Sequence, residues 1–326
     1  MAHYAPHRPL HALEKDIKKY KGKFSKGWDY FREQRLNNMK GVGLSNSWIL
    51  SERPKNIPAW DSLSDKEKAM WETRMEVYAA QIDRMDQGVG RIIDLLKEKN
   101  ELDNTVILFL SDNGGNAEPE GVDFDADTIQ DIGGKTFNQS YRRHWANMSN
   151  TPFRLYKSSN HEGGISTPLI VHWPKKIKTA SITNQKGHVI DFMPTFMELV
   201  EATYPEELNG NKIKAYQGKS LLSAFQGKTT ERGPLFFEHQ ADRAVIDGEW
   251  KLVATKAGKK PYKGKWELYD LSVDRSEENN LIEKHPEIAA ELDAKWEKWA
   301  EENNVLPLDG RGWGKRLKAD INYTEK

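Results

Sequence analysis

The residues of this 326-residue chain best suited to chemistry lie in three short stretches. The first is Ser111-Asp112-Asn113-Gly114-Gly115, which follows the apolar run Val106 to Leu110. A short β-branched and aromatic run reads as a buried strand, and paired glycines supply the backbone freedom for a sharp exit. Asp112 and Asn113 therefore stand at the carboxyl end of a strand, the edge at which open α/β sheets collect ligands. Two adjacent oxygen-bearing side chains suit a hard cation or a phosphate-like group there. A tight turn made by Asp and Asn before Gly-Gly is the competing reading, and these residues alone weigh the two about equally.

The second stretch, His3 to His11, places three histidines and two prolines within nine residues. Proline restricts itself and the residue before it, so a histidine on this loop can be aimed, and imidazole is the side chain readiest for proton transfer near neutral pH. A solvated tail is the alternative. The third stretch holds Lys157 and His161, in a polar loop that ends at Gly163-Gly164 and feeds a second apolar run, Pro168 to Trp173. Lys157 thus shares a strand-edge setting with Asp112 and Asn113, which puts a common site on equal terms with a merely solvated lysine.

The elements that must position these groups are legible to different degrees. Ser64 and Glu67 have the spacing of a capping box, and apolar residues then recur at Trp71, Met75, Tyr78, Ile82, Met85, Val89, Ile92 and Leu96. Steps of four and three keep all eight on one stripe of a single long helix, expected to face the core. A helix followed by a buried strand is the unit of a parallel α/β sheet. Residues 20 to 35 end in an amphipathic helix with Trp28 and Phe31 as packing residues. Asn116 to Gln139 is a long polar loop, and such loops are usually functional or mobile. Its segment VDFDADTIQD lacks the glycine and final glutamate of an EF-hand at the required offsets. His188 to Glu201 reads as a short helix with Met193, Phe196, Met197 and Val200 on its inner face. After a Gly-, Lys- and Gln-rich connection, residues 204–233, short strands appear in PLFFEHQ, RAVIDGEWKLVA and WELYDL, with a hairpin signal at Asp247-Gly248. A final helix begins near Pro286, with Ile288, Leu292, Trp296 and Trp299 on one face. The expected division is 1–203, a connection at 204–233, and a small antiparallel α+β subdomain at 234–326.

Composition narrows the classes. The 49 basic residues balance 49 acidic ones, so no global field points to nucleic acid or an anionic membrane. Apolar runs of about five residues fall far short of the roughly 20 that span a bilayer. The chain has no cysteine, which excludes disulfides, thiolate metal sites and a cysteine nucleophile. MAHYAPHRPLHAL lacks the charged start and apolar stretch of a secretory signal.

Taken together, APHRPLHA (5–12), YKGKFSKGWDYFREQR (20–35), LFLSDNGG (108–115), NTPFRLYKSSNHEGGISTPLIVHWP (150–174) and RAVIDGEWKLV (243–253) resemble the sulfatase family of the alkaline-phosphatase-like superfamily over nearly the whole chain. The resemblance implies an α/β sandwich, incomplete here, with a mixed and largely parallel sheet flanked by helices, plus the small C-terminal antiparallel α+β subdomain. It implies hydrolysis of sulfate esters of aryl or carbohydrate substrates, with Ca²⁺, or less suitably Mg²⁺, at the floor of the site. Asp112 and Asn113 match the family's second pair of metal ligands. Lys157 matches the lysine that contacts the sulfate and its ester oxygen, and His7 the histidine that protonates the leaving alcohol. His161 takes a supporting or substrate-contacting role. His144 and Trp145 are candidates to face a sugar ring, with core or surface packing at least as good a reading.

The chain also departs from the family. Sulfatases carry a formylglycine made from Cys or Ser in a C-x-P-S-R-like motif, preceded by a strand ending in two aspartates that complete the metal site. No such motif occurs in these 326 residues. The resemblance therefore implies a C-terminal sulfatase portion that is inactive alone, its formylglycine belonging to a missing N-terminal half. It would be a truncated gene model, a split enzyme pairing with a separate N-terminal half, or a remnant. Two rivals stand beside this reading: a phosphoryl hydrolase or transferase of the same superfamily, and a noncatalytic glycan-binding protein. The partners implied are a sulfated small molecule or glycan, with neither nucleic acid nor membrane. Family habit favours the periplasm or secretion, although the chain itself decides no compartment.

Overall fold

The amide of Ser64 donates to Glu67 Oε2 at 2.8 Å, its hydroxyl donates to the same oxygen at 2.6 Å, and the Glu67 amide donates back to Ser64 Oγ at 3.4 Å. This capping box opens a 34-residue helix. The computed structural model describes residues 1–44, 47–118, 131–312 and 314–316. In chain order its elements are α1 (Glu14–Ile17), α2 (Gly27–Gly41), α3 (Asp65–Glu98), β1 (Ile107–Leu110), α4 (Arg142–Ser149), α5 (Glu162–Ile165), β2 (Leu169–His172), α6 (Phe192–Leu199), β3 (Glu207–Leu208), β4 (Asn211–Lys212), α7 (Leu222–Phe225), β5 (Leu235–His239), β6 (Asp242–Asp247), β7 (Trp250–Ala254), β8 (Glu267–Asp270) and α8 (Pro286–Glu302). The apolar stripe of α3 is buried at Met70, Trp71, Met75, Val77 and Ala80, but Ile82 is exposed and Met85, Val89, Ile92 and Leu96 are only half-buried. Periodicity tells which residues share a face; it does not supply what covers that face.

The chain clusters into two compact units, Met1–Leu95 with Ser111–Pro168 and Phe236–Lys326, and Leu96–Leu110 with Leu169–Leu235. The first unit holds an aromatic core. Trp28 of α2 meets Trp60, Trp71 and Trp145 edge to face, with ring centroids 4.8, 5.8 and 5.6 Å away. Such geometry adds to the gain from burial alone. The indole nitrogens are satisfied within the core, Trp28 by Pro58 O at 3.0 Å and Trp145 by Trp71 O at 2.8 Å. The same unit contains a four-stranded antiparallel sheet in the order β5-β6-β7-β8. Asp247 pairs with Trp250 across a turn in which Gly248 adopts φ 55°, so the Asp-Gly hairpin forms. Leu292, Trp296 and Ala300 of α8 pack with Val245, Leu252 and Leu268.

In the second unit β1 pairs with β2, Ile107 opposite His172 and Leu110 opposite Leu169. The sequence leads one to expect two buried strands of a largely parallel sheet. Among the described residues this ladder is two-stranded and antiparallel, and Phe109, Leu110 and Ile170 are 43, 36 and 59% exposed. Two strands cannot cover their own faces.

Helix α6 likewise inverts its expected orientation. Pro194 and Thr195 are buried, whereas Met193, Phe196 and Val200 are exposed and Met197 is half-buried. Asp191 and Thr195, four residues apart, lie on the stripe opposite those apolar side chains, and they hold that stripe inward. The fully buried Asp191 carboxylate accepts from the amides of His188 and Lys219 at 2.7 and 2.9 Å and from the Arg232 guanidinium, while Thr195 Oγ1 accepts the Leu221 amide at 2.9 Å. A polar hub in which both Asp191 oxygens and the Thr195 hydroxyl are hydrogen-bonded organises this unit.

Candidate active site

Two glycine pairs bring the chemical stretches together. The Gly114 amide donates to Gly164 O at 3.0 Å and the Lys157 amide to Gly115 O at 3.1 Å. Asn150 clasps the same loops, its Oδ1 accepting the Gly115 amide and its Nδ2 donating to Leu155 O, both at 3.0 Å. A Cβ added to Gly114 would sit 1.8 Å from Gly163 O, and one on Gly164 would sit 1.9 Å from Ser159 O. The glycines are therefore contact surfaces between backbones as much as turns. Leu155 (φ 65°) and Ser158 (φ 77°) flank Lys157 in the left-handed region that residues with a Cβ rarely adopt, a strain that only tight surroundings sustain.

The histidine loop reaches this lysine. Leu10 is wholly buried and its amide donates to Gln139 O at 3.0 Å, which anchors the segment, so it is no solvated tail. His7 Nδ1 lies 2.8 Å from Arg8 O, and His7 Nε2 lies 2.9 Å from Lys157 Nζ, 150 residues away in the chain. A carbonyl only accepts, so Nδ1 carries the proton and the Nε2 lone pair faces the lysine, which donates to it. Arg8 and Glu118 border the pair: Glu118 Oε2 is 3.6 Å from Arg8 Nε and 4.0 Å from Lys157 Nζ. The result is a half-buried, hydrogen-bonded lysine–histidine pair with one further cation and one carboxylate beside it.

The C-terminal sheet holds the lysine loop from both ends. Arg154 Nη1 donates to Glu267 Oε2 at 3.2 Å, Tyr269 Oη at 3.1 Å and Glu277 O at 3.2 Å. At the other end His161 is 1% exposed, with Nδ1 3.1 Å from Ser159 Oγ and Nε2 3.3 Å from Glu267 Oε2. Both ring nitrogens are engaged and the ring is closed to water, so His161 braces the loop. The hydrogen bond from His161, with help from Tyr269, outweighs burial and holds the Glu267 carboxyl down at about 2.

Behind this lies a closed ion network. Lys251 Nζ, wholly buried on β7, is 2.8 Å from Glu277 Oε1 and 3.1 Å from Glu162 Oε1; Arg275 Nη2 is 2.6 Å from Glu162 Oε2; and the Glu162 amide donates to Glu277 Oε2 at 2.8 Å. Burial alone would raise the Glu162 carboxyl, but Lys251 and Arg275 prevail and keep it below its ordinary value.

Two expected site residues fall elsewhere. His144 and Trp145 belong to the aromatic core: Trp145 is 0% exposed, and the His144 ring lies 4.0 Å from Trp71 and 5.0 Å from Trp28. Both rings are closed within that packing. Burial, followed by Arg143, Arg142 and Arg74, pushes the His144 imidazole down to about 3. Asp112 is exposed and Asn113 half-buried, and Ser111 Oγ donates to Asn113 O at 2.8 Å. Among the described residues no three His, Asp or Glu side chains converge as a metal shell. Asp112 and Asn113 alone fall well short of the six to eight oxygens that calcium takes, so these residues by themselves do not fit the ion. Residues 119–130, which include most of VDFDADTIQD, lie outside the described residues.

Sequence reasoning did not single out Asn150, Arg154, Glu267 or Lys251. Most of their partners lie tens of residues or more away, and no local spacing announces them. The inclusion of Asn150 and Arg154 in NTPFRLYKSSNHEGG was the available signal.

Comparison with known proteins follows the same lines. The sulfatase family model matches residues 1–202, and the model of the N-sulphoglucosamine sulphohydrolase C-terminal region matches residues 154–302. An uncharacterized sulfatase of Schizosaccharomyces pombe is 34% identical over 319 residues, covering 93% of this chain and 57% of the relative. An arylsulfatase of Klebsiella aerogenes is 29% identical over 241 residues, 71% of this chain and 52% of its own. The chain thus spans about half the length of these curated relatives. Among solved structures, Ps i-CgsB aligns over 95% of this chain and 50% of its own at 21% identity and a TM-score of 0.56. BT4656 in complex with its substrate D-glucosamine-2-N,6-O-disulfate aligns over 86% and 47% at 20% identity and a TM-score of 0.52. These two share the fold, the alkaline-phosphatase-like α/β arrangement.

Proposed function

We propose, on the premise that this chain belongs to the sulfatase family, that it is the C-terminal portion of a sulfuric ester hydrolase whose leaving-group chemistry is carried by His7 and Lys157. The carrying observation is the 2.9 Å contact between Lys157 Nζ and His7 Nε2. An ammonium placed beside an ester oxygen offers fixed positive charge where negative charge grows as the S–O bond breaks. The Lys157 ammonium donates one of its three protons to His7 Nε2 and can give another to an ester oxygen that binds beside the pair, leaving a neutral amine hydrogen-bonded to the imidazole. Positioned proton transfer of this kind contributes about 10²- to 10⁴-fold. Lys157 and His7 thus act as one acid, sharpening the separate roles that the resemblance implies. The nucleophile, a formylglycine, would come from an N-terminal half, which the chain meets as a partner.

Exposed apolar side chains of the second unit support such a partner: Phe109 and Ile170 pair across β1 and β2 on one face of the ladder, and Met193, Phe196 and Val200 lie outward on and just after α6, where an added surface would bury them. Substrates in this reading are sulfate esters of aryl groups or sugars. No step is assigned to calcium, since Asp112 and Asn113 do not complete its shell. The test is co-expression with the upstream reading frame, or a relative's N-terminal half, that encodes a C-x-P-S-R segment. The complex should turn over 4-nitrophenyl sulfate and lose that activity on Lys157→Ala, whereas the 326-residue chain alone should not. Turnover by the chain alone, or a complex indifferent to Lys157, would overturn the proposal.

A further inference from the structure

Lys157 carries its charge on a long, flexible stem, so its ammonium stays on His7 Nε2 only if the backbone beneath it is fixed. That backbone is a loop closed at its base, where the Gly163 amide donates to Arg154 O at 2.9 Å and a Cβ on Gly163 would run into the same oxygen. One carboxylate oxygen ties both ends. Glu267 Oε2, on β8, lies 3.2 Å from Arg154 Nη1, 3.3 Å from His161 Nε2 and 2.5 Å from Tyr269 Oη. A carboxylate only accepts, so His161 Nε2 carries a proton, and in the neutral ring Nδ1 is the lone pair that takes the Ser159 hydroxyl at 3.1 Å. The chain of bonds from Glu267 through His161 to Ser159 ends two residues after Lys157, and Arg154 is held three residues before it.

We propose that Glu267 is a positioning residue for the acid pair: by holding both ends of the lysine loop it keeps Lys157 Nζ on His7 Nε2. The inference rests on the proposed roles of Lys157 and His7 and adds to them a group outside the pair. Three donors converge on one oxygen, an arrangement that a negative charge sustains, since hydrogen bonds to an ionised acceptor are about twice as strong as neutral ones. In Glu267→Gln a neutral amide oxygen takes its place, too weak an acceptor to keep all three, so one end of the loop is released. Leu155 and Ser158, both in the left-handed region, then relax, because such backbone persists only where its surroundings enforce it. The ammonium above them loses its aim, and a displacement of about 1 Å is enough to cost a catalytic group much of its effect.

The experiment reads the pair directly in the 326-residue chain, with near-ultraviolet circular dichroism as the fold control. Long-range proton–nitrogen NMR spectra at about pH 8, where imidazole is neutral, report whether His7 Nε2 accepts a hydrogen bond, the resonance being assigned by its loss in His7→Gln. Lys157→Ala should move that resonance to the position of a free lone pair; if it does not, the lysine–histidine pair itself falls and Glu267 has nothing to position. Glu267→Gln should carry the resonance toward the Lys157→Ala position, and Arg154→Lys, which keeps the charge but loses the fork, should move it the same way. Leu268→Ala weakens the same strand from its α8 face and should leave the resonance in place. With Lys157→Ala displaced, an unmoved resonance in Glu267→Gln would overturn the positioning role and leave the pair standing; should Glu267→Gln not fold, an unmoved Arg154→Lys does the same. Equal displacement in Leu268→Ala would also overturn it, because any softening of the sheet would then suffice. In the complex completed by an N-terminal half, Glu267→Gln should lower 4-nitrophenyl sulfate turnover about tenfold, and an undiminished rate would overturn the role.

Discussion

In the first unit Trp28 and Trp145 are wholly buried and ring-packed, whereas in the second Phe109, Ile170, Phe196 and Val200 are 43, 59, 44 and 70% exposed. Both regions come from strongly apolar, correctly periodic sequence. They differ in what occupies their centres. Helices α2, α3 and α4 supply tryptophans whose edges meet and whose nitrogens find carbonyls, so that core closes on itself. The second unit is centred on Asp191 and Thr195, whose hydrogen bonds turn polar stripes inward and leave apolar ones outside. An amphipathic helix buries whichever stripe finds its complement, and within this chain the polar stripe of α6 is the one that does.

The sharpest test sets one region against the other. Trp145→Ala should lower unfolding free energy by about 3–5 kcal/mol, while Phe196→Ala should change it by no more than about 0.5 kcal/mol. Urea titration followed by circular dichroism measures both, and comparable losses would erase the distinction. Lys251→Met asks whether the ion network belongs with the closed region. Removing that ammonium strands Glu277 in the interior and leaves Glu162 to Arg275 alone, which should cost about 3–5 kcal/mol, with partial recovery when Glu277→Gln is added. A near-neutral Lys251→Met would mean that water reaches the network.

Acid should separate the regions more gently. The His144 imidazole is depressed from 6.5 to about 3, so the unfolded chain takes up a proton at higher pH than the folded one. Its contribution is complete above pH 6.5 and is lost as pH falls toward 3, at about 1.4 kcal/mol per pH unit, or 2–3 kcal/mol by pH 4.5. Glu267, held at about 2 against an ordinary 4.5, adds a loss of the same sign below pH 4.5. His144→Phe should flatten the decline between pH 6.5 and 4.5, monitored by thermal melting; an unchanged slope would place the titrating group elsewhere. The smallest effect concerns calcium. With two side-chain oxygens to offer, the chain alone should gain less than about 1 °C in Tm from millimolar Ca²⁺. A larger gain abolished by Asp112→Ala would show that further ligands converge on that carboxylate.

Local signals carried much of this. The capping box at Ser64, the Asp247-Gly248 hairpin, the α8 stripe and the packing roles of Trp28 and Phe31 depend on neighbours within a few residues, and sequence spacing specifies such neighbours directly. His7 and Lys157 were legible only through motif resemblance, because nothing local links residues 150 positions apart. His144 and Trp145 left a glycan face and core packing open for a physical reason: an aromatic beside polar donors has the same composition whether it lines a glycan cleft or a core.

Residue order alone therefore determined most element types and the family, and through the family's motifs the candidacy of His7 and Lys157, since these rest on side-chain identity and short-range periodicity. Tertiary structure decided which faces closed. It turned α6 outward, withdrew His161 behind the Glu267 carboxylate, pressed two glycine pairs into contact and set His7 on Lys157. Each outcome depends on which distant surface reaches a side chain first, and burial is a property of that pairing, which no single segment contains.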